Sequence, residues 1–330
     1  MKTSAWKSAL ASSAGRALLA LLLVLAAGAI FNADGAFFKI GTHRDTLRQA
    51  SVCGMLACGM TLVIISGGID LAVGSLVALA AVCAAKMAIH WNWPWWEVVP
   101  ACLAVGALCG SVSGWVTARL RVQPFIATLS MMVLARGLAK YASGGMKVST
   151  AVQNPDGTYR YVDVPALFRA IDHRVLGGNL SMVTVIFLVC VALAWLALSK
   201  HRWGRYLFAI GGNEEAARLS GVPVVGAKIC AYAASGLFAA VAGLCQAAQE
   251  QQGDPEAGQG YELTAIAMVV IGGTSLMGGR GGMGLTLLGV LTIGYLDKIL
   301  SINAVPEAGR LVLTGIIIVA AVLTQRRGRT

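Results

Sequence analysis

The sequence predicts an all-α polytopic membrane protein of about ten transmembrane helices, and three observations carry that expectation. Hydrophobic residues make up 57% of the chain and charged residues 12%. Mean hydropathy is +0.72, a balance that no average soluble domain shows. The apolar residues are also gathered into runs, most of them near the ~20 residues that cross a hydrocarbon core. Residues 1–330 therefore read as a single transmembrane domain.

The expected spans are 17–31, 47–66, 69–90, 97–116, 124–141, 182–199, 224–247, 263–279, 283–300 and 311–325. A cleaved signal peptide is the alternative for the first, which follows Lys2, Lys7 and Arg16 and ends near small residues. Orientation follows from the excess of Lys and Arg in cytoplasmic loops. With the N-terminus inside, the inner segments collect Arg119 and Arg121, then Lys200, Arg202, Arg205 and Arg218, then Arg280, and finally Arg326, Arg327 and Arg329. The outer segment at 249–262 has Glu250, Asp254, Glu256 and Glu262 and no base. Both termini are thus expected in the cytoplasm, and an even number of spans satisfies that. The same asymmetry accounts for the formal charge of +11, so membrane lipid is the expected surface partner and nucleic acid is not.

The eight cysteines lie in apolar runs without a CxxC pair, and they read as small buried hydrophobes. His43, His90, His173 and His201 are scattered among different loops. Neither a metal site nor a metalloenzyme is expected. A membrane-embedded enzyme of another kind would need nucleophile, base or ligand side chains clustered at one depth, and the spans offer no such cluster. "WNWPWW" at 91–96 reads as an interfacial aromatic belt.

Two segments outside the spans have structure of their own. The outer segment 142–181 contains Pro155-Asp156-Gly157 between residues suited to strands, including Tyr159 and Tyr161, followed by "PALFRAIDHRV". A short hairpin and then a surface helix are expected there, serving as a cap or as a plain connector. The inner loop 200–223 contains Asn213, Glu214, Glu215, Ala216, Ala217, Arg218 and Gly221. Asn213 can cap a helix from Glu214 to Leu219 whose acids sit in the first turn, and Gly221 with Pro223 ends it. Such a helix suits a groove on a soluble partner or a position along the headgroups.

Two apolar spans are broken by glycine. Ser66-Gly67-Gly68 precedes Asp70, whose carboxylate can take the orphan N–H groups of Leu71 to Val73 at a helix start; a polar contact on a route or gate is the other role open to it. Gly272-Gly273-Thr274-Ser275 forms the second break, which runs on through Gly278-Gly279-Arg280-Gly281-Gly282. Both are expected at the inner side, as elements of a translocation path or as sites of tight helix packing. Arg136 and Lys140 share one helix face and are expected to reach outward, with a place lining the route as the other role open to them.

"GRYLFAIGGNEEAARLSGV", with Glu215-Ala216-Ala217 and then Gly221, resembles the coupling loop of ABC importer permeases of the ribose/xylose/arabinose/galactose subfamily. "GMTLVIISGGIDLAVGS" (59–75), "VQPFIATLSMMVLARGLA" (122–139) and "GYELTAIAMVVIGGTSLMGGRGG" (260–282) resemble the same subfamily in the same order. The least similar part is 142–181. The resemblance implies a ten-helix permease of the type II importer fold in the bacterial inner membrane, paired with a second copy or a paralogue. It implies two cytoplasmic ATPase subunits, which would bind ATP and Mg, and an extracytoplasmic sugar-binding protein. The chain itself contains no G-x-x-x-x-G-K-[ST] phosphate loop. The competing expectation is an ion-coupled secondary sugar transporter, which would need acids within the spans, where Asp70 stands nearly alone.

Overall fold

The computed structural model describes residues 12–153 and 156–316. Lys2, Lys7, Pro155, Arg326, Arg327, Arg329 and most of the span expected at 311–325 lie outside the described residues. Helices dominate: α1 Ser13–Ile30, α2 Ile40–Ile65, α3 Val73–Ala85, α4 Trp95–Ala118 and α5 Pro124–Ser143 lead to the 144–181 segment. That segment holds β1 Ala151–Gln153, β2 Tyr159–Tyr161, α6 Ala166–Ile171, β3 Arg174–Val175 and β4 Leu180–Ser181. Then follow α7 Met182–Ser199, α8 Arg202–Gly212, α9 Glu214–Leu219, α10 Val224–Glu250, α11 Tyr261–Gly272 and α12 Met283–Ile302.

Among the described residues eight helices are long and apolar enough to cross a membrane: α1 to α5 (α3 together with a π turn that extends it to His90), α7, α10 and α12. The span expected at 263–279 is corrected. Its helix α11 has 12 residues, a rise of about 18 Å, and stops where Gly273 adopts φ +103°. That left-handed conformation ends a helix and favours glycine. The chain is helical again from 307 to 316.

α2 and α3 form the centre and are buried over most of their length. Their apolar residues run around the whole helix, as a helix surrounded by other helices requires. α10 packs across α4, α3 and α2, α5 lies on α3, and α12 lies on α2, α1 and α11. In lipid no hydrophobic force separates helix from tail, so close packing must supply the contact energy. α4 meets that need with Gly106, Gly110 and Gly114, spaced one turn apart against Gly236, Tyr232 and Ile229 of α10. A side chain at Gly106 would collide with the Gly236 carbonyl, and one at Gly236 with the Gly106 carbonyl.

The expectation of uniformly buried cysteines holds for Cys58, Cys102, Cys190 and Cys245. It is corrected for Cys230, which is exposed, and for Cys53, Cys83 and Cys109, which are intermediate. Cys230 sits on the outer face of α10, where apolar character alone says nothing about which side faces a neighbour. Trp91, Trp93, Trp95 and Trp96 are all exposed.

The 144–181 segment contains the expected hairpin, β1 pairing antiparallel with β2, and the expected helix α6. Phe168 of α6 is fully buried and anchors it. A second small hairpin, β3 with β4, leads into α7. α7 has 18 residues, so about 27 Å separates this cap from the loop at 200–223.

Candidate functional site

The loop at 200–223 folds as its local chemistry dictates. The Asn213 side-chain oxygen accepts the Ala216 N–H at 2.9 Å and caps α9. Glu214 and Glu215 occupy the first turn, and Arg218 the last, in the order the helix dipole favours. Arg218 pairs with Glu215 at 2.6 Å, and Lys228, nearly buried in the first turns of α10, pairs with Glu214. Gly221 has φ +81°, the left-handed turn that carries the chain on toward Pro223. Ala217 faces inward; Glu214, Glu215, Ala216, Arg218 and Leu219 face out. Leu219 is 79% exposed and projects beside the charged side chains of Glu215 and Arg218. A cavity of about 510 Å³ opens next to it, lined by Arg121, Gln123, Glu214, Arg218 and Lys228 among others.

The first break lies directly against this loop. Ser66 is buried, its hydroxyl donating to Val63 O at 2.8 Å, and Gly67 adopts φ +81°. Asp70 is 1% exposed and accepts the Ala72 N–H at 3.0 Å. α3 begins one residue later, at Val73. Asp70 thus closes a turn leading into α3, and takes one of the three N–H groups expected of it. The Ser235 hydroxyl of α10 faces the same carboxylate. A side chain at Gly68 would collide with the Tyr232 hydroxyl, also of α10.

The second break divides in two. Gly272 presses on the Leu285 carbonyl of α12, Gly273 lies beside Ser13 of α1, and Thr274 is fully buried against Gly281. The Ser275 N–H donates to Arg280 O at 2.9 Å and closes a small loop. The approach to the first break is made further on. The Gly279 N–H donates to Ile65 O at 3.0 Å, and a Cβ at Gly278 would stand 3.0 Å from the Gly67 nitrogen and 2.9 Å from Gly211. Gly211, near the end of α8, completes the junction, since any side chain there would run into Ile65 O and the Gly279 nitrogen. Gly211 is not legible in the sequence as a site residue, because α8 looks like an ordinary amphipathic helix. The run Gly278-Gly279 was visible, but not its partner.

At the opposite end of α7, the 251–260 loop is tied to α5 and the cap. Arg136 donates to Pro255 O at 2.6 Å and Ala257 O at 2.8 Å, and Lys140 pairs with Glu256. Lys147 pairs with Asp254 at 2.9 Å, and Val148 and Gly253 exchange backbone hydrogen bonds. The Lys140 ammonium holds Glu256 below the usual carboxylate range. Partial burial pushes Asp254 upward, but the Glu256 N–H and the Lys147 ammonium outweigh it and hold Asp254 low as well. Arg136, Lys140, Gln259 and Glu262 line a cavity of about 420 Å³ with Ser75 and Met132. No cluster of His, Cys, Asp and Glu suited to a metal occurs among the described residues.

Eight helices long and apolar enough to cross a membrane, packed around two glycine-broken segments, are the architecture of a multi-pass membrane protein. The profile of a family described as "Branched-chain amino acid transport system / permease component" matches residues 44–322, and the chain belongs to that family. It is 39% identical over 315 residues to the ribose import permease protein RbsC of Escherichia coli K12, covering 94% of this chain and 93% of that one. It is 33% identical to the fructose import permease protein FrcC of Rhizobium meliloti, with 92% and 82% covered. It is 37% identical to the L-arabinose transport system permease protein AraH of Escherichia coli K12, with 84% and 80% covered. No solved structure gives a significant match. The chain is a multi-pass membrane permease component, and the ion-coupled alternative loses its ground.

Proposed function

We propose that this chain is the membrane subunit of an ATP-driven, binding-protein-dependent importer of a monosaccharide or related polyol. The observation that carries the reading is α9: a helix capped by Asn213, clamped to α10 by Glu214 and Lys228, and presenting Leu219 to solvent. A short rigid projection of this kind suits a groove on a cytoplasmic ATPase, which would hold ATP and Mg, while this chain does no hydrolysis. The relatives named for ribose, fructose and arabinose support a sugar cargo. The cavity beside Arg136, Gln259 and Glu262 agrees with it, pairing donors and acceptors with the apolar side of Met132 as a sugar's hydroxyl edge and C–H face require. In this reading the cap receives the extracytoplasmic binding protein. Both termini face the cytoplasm of a bacterial inner membrane, and the path forms with a second copy or a paralogue.

The test is uptake into liposomes containing the purified permease, with ATPase and binding protein added separately. Uptake should require both. Glu215→Lys and Leu219→Asp should each lower co-purification of the ATPase at least about tenfold, since a buried apolar contact and a reversed charge each exceed about 1.4 kcal/mol. Uptake by the permease alone, driven by an ion gradient, would overturn the reading.

A further inference from the structure

Three backbone segments far apart in the chain meet at one hydrogen bond. The Gly279 N–H donates to Ile65 O, and Gly211 lies over that bond with no side chain between. We propose that the Ile65–Gly279 bond is a clasp joining the two broken helices, and that Gly211 is the positioning residue through which α9 opens it. The proposal rests on α9 being the ATPase-docking element and adds what that docking moves.

The geometry leaves little slack between the two. Gly212 is the last residue of α8, and Asn213 both ends α8 and caps α9. A displacement of α9 is therefore delivered to Gly211 through two residues, one of them held by its cap. On the side where a Cβ would stand, Gly211 already lies against both ends of the bond, since a methyl there would run into Ile65 O and the Gly279 nitrogen, so a shift in that direction presses directly on it. A backbone hydrogen bond weakens steeply once stretched or bent, so a shift of about a methyl radius parts it. α9 also reaches the first break by a second arm. Its Glu214 pairs with Lys228, and Tyr232, one turn along the same face of α10, puts its hydroxyl over Gly68. Both arms end on residues 65–68, where Gly67 already holds a left-handed turn that can rearrange.

Neighbouring glycines supply the experiment. Gly212 has nothing within 4 Å of where a Cβ would stand, so Gly212→Ala reports any general effect of altering α8. Gly211→Ala should lower uptake at least about tenfold, a loss of about 1.4 kcal/mol of coupling, while the ATPase still co-purifies and hydrolyses ATP; Gly212→Ala should transport within about twofold of wild type. Equal uptake by the two variants would overturn the proposal. A second measurement stands even if Gly211→Ala fails to assemble. Ser66→Cys, in a chain stripped of its native cysteines, is buried beside the clasp and should react with a membrane-permeant thiol reagent at least about tenfold faster once ATP is bound. Labelling unchanged by ATP in a complex that still transports would sink the clasp. Failure of the underlying reading looks different: the ATPase would not co-purify with the wild-type chain at all.

Discussion

At the end of α7 that leads to α9, three segments far apart in the chain meet at one backbone hydrogen bond, whereas at the other end the close backbone approaches of Gly253 to Ala81 and Gly258 to Gly74 are joined by long side chains that tie the cap and the 251–260 loop to α5. Ile65, Gly211 and Gly279 leave no volume between them. Arg136, Lys140 and Lys147 instead reach across to Pro255, Glu256 and Asp254. A backbone hydrogen bond weakens steeply once stretched or bent, so one set in close-packed surroundings is effectively either made or broken. Ion pairs between exposed side chains can shift gradually and are screened by salt. The first end suits switching, and the second suits holding a surface in place.

The sharpest break of this comparison uses two glycines with the same backbone conformation. Gly279 has φ +69° and Gly144, which ends α5, has φ +66°. Alanine at either position costs about 1 kcal/mol for the left-handed backbone alone. At Gly279 the new methyl would also stand 2.9 Å from the Gly212 nitrogen, while at Gly144 it meets nothing. Gly279→Ala should therefore reduce uptake more than about tenfold, and Gly144→Ala should leave it within a few-fold. Equal losses would show that backbone strain, not crowding, governs both ends.

A smaller effect is expected at the cap of α9. Asn213→Ala removes the acceptor for the Ala216 N–H and should cost that helix about 1 kcal/mol. Asn213→Asp keeps an acceptor and should retain ATPase association, measured by co-purification, where Asn213→Ala lowers it. Similar binding by both would mean that α9 is ordered by its Glu214–Lys228 pair and not by its cap.

The smallest effect belongs to the ion pairs. Lys147→Ala should leave uptake within about twofold, since the Lys147 ammonium is solvent-exposed and Asp254, though partly buried, keeps the Glu256 N–H as a partner. Asp254 and Glu256 titrate below their ordinary values, so their contribution is complete above the ordinary carboxylate range and is lost only as pH falls through the lowered values. Thermal stability of the purified protein should thus show no step from these groups between about pH 8 and about pH 5. A step there that disappears in Asp254→Asn would overturn the assignment.

What could be read from the sequence is what short-range chemistry governs. The limits of α9, its Asn213 cap, the turn at Gly221 and the hairpin around Asp156-Gly157 each depend on residues within a few positions, and the structure has them where they were expected. The apolar runs likewise mark most of the crossing helices, because a span must satisfy its own backbone wherever it lies. α11 shows where that reasoning stops: hydropathy continues past Gly272, but the backbone turns left-handed at Gly273, against Ser13 of α1. Which glycine meets which segment is a property of packing alone. Gly211 and Gly212 are adjacent and alike in sequence, yet one is crowded by Ile65 and Gly279 and the other faces open space. No local pattern distinguishes them, because the difference comes from two segments roughly 70 and 150 residues away that only the folded bundle brings together.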